Sequence, residues 1–127
     1  MVLDTHAWIW WVTESPKVSR KARRAINEAD GLGVHPISCW EVAMLVAKGR
    51  LALSLDVAEW VIQALHRPKM RLLPFPAEQA VLATRLPGDL HADPADRFIV
   101  AACLAGGLPL VTKDEAIRAW GHVETVW

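Results

Sequence analysis

Apolar residues along the chain fall into two kinds of stretch: short runs that end at a polar residue or a turn, and longer runs with helical spacing. Their alternation predicts an α/β protein with a mostly parallel central sheet. A first strand is expected at residues 2–4, followed by a tryptophan-rich helix at 6–12. A second helix is expected at about 19–29, with Ser19 as N-cap and Gly31 as its stop. Residues 33–37 read as strand two, and 38–47 as a helix that Lys48-Gly49 ends. Asp56 opens the next helix with Glu59 three residues on, a capping-box spacing, and Pro68 follows its end. Strand three is expected at 71–75 and a short helix at 77–85. A loop carrying Pro87, Gly88 and Pro94 leads to a helix at 95–105 that Gly106-Gly107 closes. Residues 108–112 make strand four, 115–120 a last helix and 122–126 a terminal strand. No repeat, low-complexity tract or linker interrupts the pattern, so a single domain over residues 1–127 is expected.

Composition changes this picture in one respect. The 127 residues are 53% hydrophobic, with seven Trp and no Tyr, above the usual globular share. An excess of that size suggests apolar surface covered by a partner or a second copy. No apolar run reaches the length of a membrane span, and no signal-peptide pattern opens the chain. Cys39 and Cys103 sit within apolar helical stretches and read as small buried hydrophobes, which suits a reducing cytoplasm.

Charge narrows the function further. Fourteen Lys and Arg balance fourteen Asp and Glu, so the net charge is zero. A protein that grips long duplexes by counterion release is ordinarily basic, which counts against a packaging role but not against an enzyme acting on a short stretch of RNA. The one basic cluster, Arg20, Lys21, Arg23 and Arg24, reads either as a solvated helix face or as an RNA-contacting edge.

Most of the acids lie in polar contexts, but four are placed differently. Asp4 ends strand one, Asp114 lies just past strand four, and Glu41 and Asp96 fall in the first turns of helices. In an open parallel sheet the strand C-termini and the following helix N-termini share one edge, where ligand sites form. All four would face one crevice. Two unit charges ~4 Å apart cost on the order of 4 kcal/mol at an effective dielectric near 20. Such a cluster therefore protonates or holds a cation, and oxygen ligands favour hard ions such as Mg²⁺ or Mn²⁺. Paired ions of this kind cleave phosphodiesters. No cysteine or histidine group has zinc spacing.

Each acid also has a structural reading. Ser38-Cys39-Trp40-Glu41 matches a capping box, although Glu41 is the only charge between Ser38 and Ala47. Asp93-Pro94-Ala95-Asp96 looks like a helix start with Asp93 as N-cap and proline first. Asp114 could cap the helix that follows it. The joint placement of the four, rather than any one of them, carries the reading.

Four blocks of sequence resemble the motifs of VapC-type toxins of the PIN-domain family. They are Leu3-Asp4-Thr5-His6-Ala7-Trp8-Ile9-Trp10-Trp11, Ser38-Cys39-Trp40-Glu41-Val42-Ala43, His91-Ala92-Asp93-Pro94-Ala95-Asp96-Arg97-Phe98-Ile99-Val100-Ala101, and Leu110-Val111-Thr112-Lys113-Asp114. They occur in the family's order, cover essentially the whole chain, and the third is the most specific. The resemblance implies a PIN-like three-layer α/β/α fold and a Mg²⁺- or Mn²⁺-dependent endoribonuclease, the toxin of a toxin–antitoxin pair. It further implies a cognate antitoxin whose tail blocks the acidic cleft, and a toxin homodimer. By position, Asp4, Glu41, Asp96 and Asp114 would bind metal. Asp93 would reach metal through water or only cap its helix. Thr112 would hold a water or orient Asp114, or be satisfied by backbone. Arg97 would meet a substrate phosphate or, the favoured reading, pair with the surrounding acids. His6 and His91 lie beside motif acids but are left out of the catalytic set.

Other classes fit less well. A phosphoacceptor receiver needs an acceptor Asp at the end of the central strand, and residues 71–75 contain none. An Asp-nucleophile phosphohydrolase needs D-x-D, but His6 stands two places after Asp4. A catalytically silent copy of the fold has no reason to keep costly carboxylates. A DNA-directed nuclease with the same metal chemistry stays open, since nothing in the sequence reads a 2′-hydroxyl.

Overall fold

Val2–Leu3 forms strand β1, and its two side chains already divide the molecule: Val2 enters one core cluster and Leu3 the other. This is the period-two alternation of a strand buried on both faces. The computed structural model of the chain describes residues 1–90 and 92–127, so His91 of the third motif lies outside the described residues. Among them, β1 is followed by α1 (Thr5–Val12), α2 (Arg20–Glu28), β2 (Leu32–Val34), α3 (Pro36–Ala47), α4 (Val57–Leu65) and β3 (Met70–Leu72). Then come α5 (Ala77–Leu82), α6 (Pro94–Gly106), β4 (Leu110–Val111), α7 (Glu115–Trp120) and β5 (Thr125–Val126). The strands form one sheet in the order β3-β2-β1-β4-β5, and every pairing is parallel. Helices cover both faces, giving the three-layer α/β/α architecture expected from the sequence.

One core lies under α1, α2 and α4, where Trp8 meets Trp60 at a ring separation of 5.1 Å, joined by Ala22, Ile26 and Val42. The other lies under α6 and α7 and is built from Ile99, Val100, Cys103 and Ile117. Gly33 separates Leu32 and Val34 because a Cβ there would lie 2.7 Å from the Leu73 side chain. Cys103 is buried and Cys39 half-buried, both free; burial pushes the Cys103 thiol up to about 12. No helix among the described residues is long and apolar enough to cross a membrane.

The strands are shorter than their apolar runs. Strand two stops at Val34 because Pro36 occupies the first turn of α3, where its missing N–H costs nothing. His35, not Ser38, is the N-cap: its Nδ1 accepts from the Ile37 N–H at 3.0 Å. The capping-box reading of Ser38 and Glu41 is therefore corrected, and Glu41 sits one turn deeper in α3 than expected. The end strands contract likewise, to Leu110–Val111 and Thr125–Val126. The basic cluster of α2 has local partners: Arg24 pairs with Glu28 on the surface at 2.9 Å, and Arg23 donates to the Ser15 carbonyl.

Candidate active site

The crevice lies where β1 meets β4, the point at which the strand order reverses direction. The register pairs Leu3 with Val111, so the next residues, Asp4 and Thr112, leave the sheet side by side. Asp4 is buried and caps α1, its Oδ1 accepting from the Thr5 N–H at 2.8 Å. Its Oδ2 accepts from the Thr112 hydroxyl at 2.6 Å. The Thr112 oxygen in turn accepts from the Asp114 N–H at 3.0 Å, so one buried hydroxyl ties the first motif to the fourth. Asp114 caps α7 through Oδ1 and the Ile117 N–H.

Glu41 reaches the group from α3. Its Oε1 is held by the Thr5 hydroxyl in a short hydrogen bond, and Ser38 Oγ lies 2.8 Å from the same hydroxyl. Thr5 has one proton, and a carboxylate is the stronger acceptor. Thr5 therefore donates to Glu41 and accepts from Ser38. Sequence reasoning read Ser38 only as a capping-box residue and gave Thr5 no role; the only signal for Thr5 was that it directly follows Asp4.

Asp96 occupies the first turn of α6 after Asp93 and Pro94. Asp93 is the N-cap by position, yet its side chain makes no cap hydrogen bond and lines the cleft instead. Ala92, Asp93, Asp96 and Asp114 wall an open cleft of about 420 Å³. Burial first, then the charges of Asp4, Glu41, Asp114 and Asp93, push the Asp96 carboxyl up to about 7. Burial likewise raises Glu41, opposed by the Thr5 hydrogen bond and reinforced by Asp4 and Asp93. Mutual repulsion across the set puts all five acids in one field. The N-termini of α1 and α6, where Asp4, Asp93 and Asp96 sit, offset part of that repulsion.

Two residues depart from their expected roles. Arg97 forms no ion pair with the cleft acids among the described residues. It donates from Nε to the Ala83 carbonyl at 2.9 Å and from Nη1 to the Leu90 carbonyl at 2.8 Å, clasping the loop before α6. His6 lies closer to the site than its exclusion suggested. Its Nε2 accepts from the Lys113 N–H at 3.0 Å, which leaves the proton on Nδ1, 3.6 Å from Asp4 Oδ2.

Residues 1–122 match the model of the PIN domain family, a span that includes all four motif acids. A curated relative, Ribonuclease VapC22 of Mycobacterium tuberculosis (strain ATCC 25618 / H37Rv), is 36% identical over 129 residues, covering 100% of this chain and 98% of its own. The chain belongs to the PIN-domain family, in its VapC-type branch. Solved structures share the fold. The VapBC2 complex of Rickettsia felis, bound to a DNA fragment from its promoter, superposes with a TM-score of 0.70 at 13% identity, over 98% of this chain and 95% of that one. DNA-bound VapBC of Salmonella typhimurium gives 0.69 at 16%, over 98% and 94%.

The donor set of this PIN-domain cleft is carboxylate oxygen alone, which suits a hard divalent cation. Among the described residues, no three His, Cys, Asp or Glu side chains are spaced to close on one ion. An ion that keeps most of its waters and takes one or two carboxylates directly, as Mg²⁺ does, fits that spacing.

Proposed function

We propose that the chain is a Mg²⁺- or Mn²⁺-dependent endoribonuclease, the toxin of a type II toxin–antitoxin pair. The observation that carries the reading is the convergence of Asp4, Glu41, Asp93, Asp96 and Asp114 on one sheet edge, with Asp96 driven to about 7 by burial and then by the neighbouring carboxylates. Such a cluster is unfavourable unless a cation neutralises it. Asp4, Glu41, Asp96 and Asp114 would hold the hydrated metal, one or two of them directly and the others through its waters, with Asp93 at the rim. When bound, Mg²⁺ or Mn²⁺ supplies Lewis acidity for a phosphodiester and acidifies a water for attack. The protein's own part is positioning. Thr112 fixes Asp4 relative to Asp114, Thr5 fixes Glu41, and the α6 N-terminus presents Asp93 and Asp96 to the open side of the cleft. The names of its relatives, a ribonuclease VapC and VapBC complexes, support RNA as substrate and a cognate antitoxin as partner.

The test is cleavage of RNA by the purified chain with Mg²⁺ or Mn²⁺. Asp4→Asn and Asp96→Asn should each lower the rate by at least about a hundredfold while the fold survives. Undiminished cleavage by both variants, or in excess EDTA, would overturn the metal–acid mechanism. Cleavage of single-stranded DNA at an equal rate would favour the DNA-directed reading.

A further inference from the structure

The opening helix carries an aromatic group that the carboxylates leave unused. His6 and Trp10 lie one turn apart on α1 with ring centroids 5.0 Å apart. Trp127, leaving β5, closes the group at 6.1 Å from His6 and 5.9 Å from Trp10. All three residues are half-buried: Trp10 and Trp127 pack partly against the core under α1, and the His6 side chain keeps 31% of its surface exposed. Two ammonium groups stand over the Trp10 ring, Lys17 at 5.3 Å and Lys113 at 5.8 Å from its centre.

The place of this group in the fold matters as much as its content. β5 pairs in parallel with β4, so Trp127 leaves the sheet at the same edge as Thr112, Lys113 and Asp114. His6 joins the two sites, its Nδ1 3.6 Å from Asp4 Oδ2 and its Nε2 bonded to the Lys113 N–H. The aromatic surface therefore begins where the acidic cleft ends.

Electrostatics gives that adjacency a use. A cleft of five carboxylates repels the phosphates of any strand that must enter it, and the chain as a whole has no net charge to attract one. Cations that hold the strand must stand beside the cleft. Half-open rings flanked by lysines are the combination that binds unpaired bases without reading their sequence. We propose that His6, Trp10 and Trp127 form a stacking platform for unpaired bases of single-stranded RNA next to the cleaved bond, with Lys17 and Lys113 meeting the flanking phosphates. The proposal rests on the ribonuclease reading for the identity of the strand, and its test separates the two.

Binding of a labelled single-stranded RNA oligomer is followed by anisotropy in EDTA, where no metal-assisted cleavage intervenes, and cleavage is followed in Mg²⁺. Trp10→Leu and Trp127→Leu keep apolar bulk but remove the ring, and Trp10→Phe restores one; near-UV circular dichroism reports whether each folds. Each Leu variant should weaken binding by about five- to a hundredfold, the range for loss of one stacked base. Trp10→Phe should recover most of the loss, and in cleavage the change should fall mainly on KM. An oligomer carrying abasic sites, or the same sequence as a duplex, should bind the wild type as weakly as the intact single strand binds the Leu variants. Equal affinity of folded wild-type and Leu variants, or of abasic and intact RNA, would overturn the platform even if RNA is cleaved. Stacking-dependent binding without cleavage would leave the platform standing and remove the ribonuclease reading.

Discussion

Asp96 concentrates the conflict between stability and function at a single residue. Its carboxyl sits near 7 in the metal-free fold against an ordinary value of 3.8. Between those values the folded state holds a proton that the unfolded state has lost, so stability falls as pH rises from about 4 and is lowest above about 7. Asp96→Asn removes the ionisation and should raise the EDTA melting temperature at pH 8 by about 4 °C or more, by less than half as much at pH 5, and hardly at all at about pH 4. The same variant should lose the stabilisation that added Mg²⁺ gives the wild type. A wild-type melting temperature in EDTA that is flat from pH 5 to pH 8.5 would refute the account of Asp96. His35 runs the other way and must be separated from it. Burial between Phe75 and Phe98 lowers its imidazole to about 4, so its neutral form is required and stability falls as pH drops from 6.5 towards 4. Measurements above pH 6.5 separate the acids from His35, and the Asp96→Asn comparison separates Asp96 from Glu41, whose carboxyl is also raised.

At the scale of elements, Arg97 ties α5 to α6 rather than serving the chemistry. Its two hydrogen bonds to the Ala83 and Leu90 carbonyls hold the loop that delivers Asp93 and Asp96. Arg97→Met should destabilise the fold by about 2 kcal/mol or more, since both carbonyls lose a charged donor. Denaturant unfolding measures this, and unchanged stability with a raised KM would instead restore the phosphate-contact reading. Arg97 also shows what the sequence leaves hidden. Acids at positions 93 and 96 are visible as neighbours, whereas backbone carbonyls fourteen and seven residues back carry no residue signature. Ser38 makes the same point. A local rule offers its hydroxyl the nearby N–H of Glu41, but the fold spends it on Thr5, 33 residues away, and lets His35 cap the helix. The helices and the placement of the four motif acids at one sheet edge were legible because both depend on spacing along the chain. Strand ends were not, because in ladders of two or three residues the last apolar residue already belongs to the next cap.

For the whole molecule the apolar excess has a visible address. Trp40, Leu55, Ile62, Leu72, Phe75 and Val81 are large and exposed, spread over α3, α4, α5 and the β3 edge of the sheet. β3 is an edge strand of three residues, and an exposed edge flanked by Leu72 and Phe75 is a surface that proteins ordinarily cover. Under the toxin reading two proteins are available to cover it, a second copy and an antitoxin, and they differ in what they do to activity. A second copy on that surface would leave the acidic cleft accessible, whereas an antitoxin whose tail entered the cleft would close it. Induced alone, the chain should self-associate at micromolar concentration, as light scattering coupled to size exclusion would detect, and should arrest growth. Asp4→Asn should abolish the arrest without changing the assembly, because Asp4 is buried at the cleft and not on the apolar surface. Co-expression with the product of a small adjacent reading frame should relieve the arrest and yield a complex that no longer cleaves RNA. A chain that stays monomeric and harmless when made alone would leave its apolar surface unexplained and remove the toxin reading, whatever its activity on RNA in vitro.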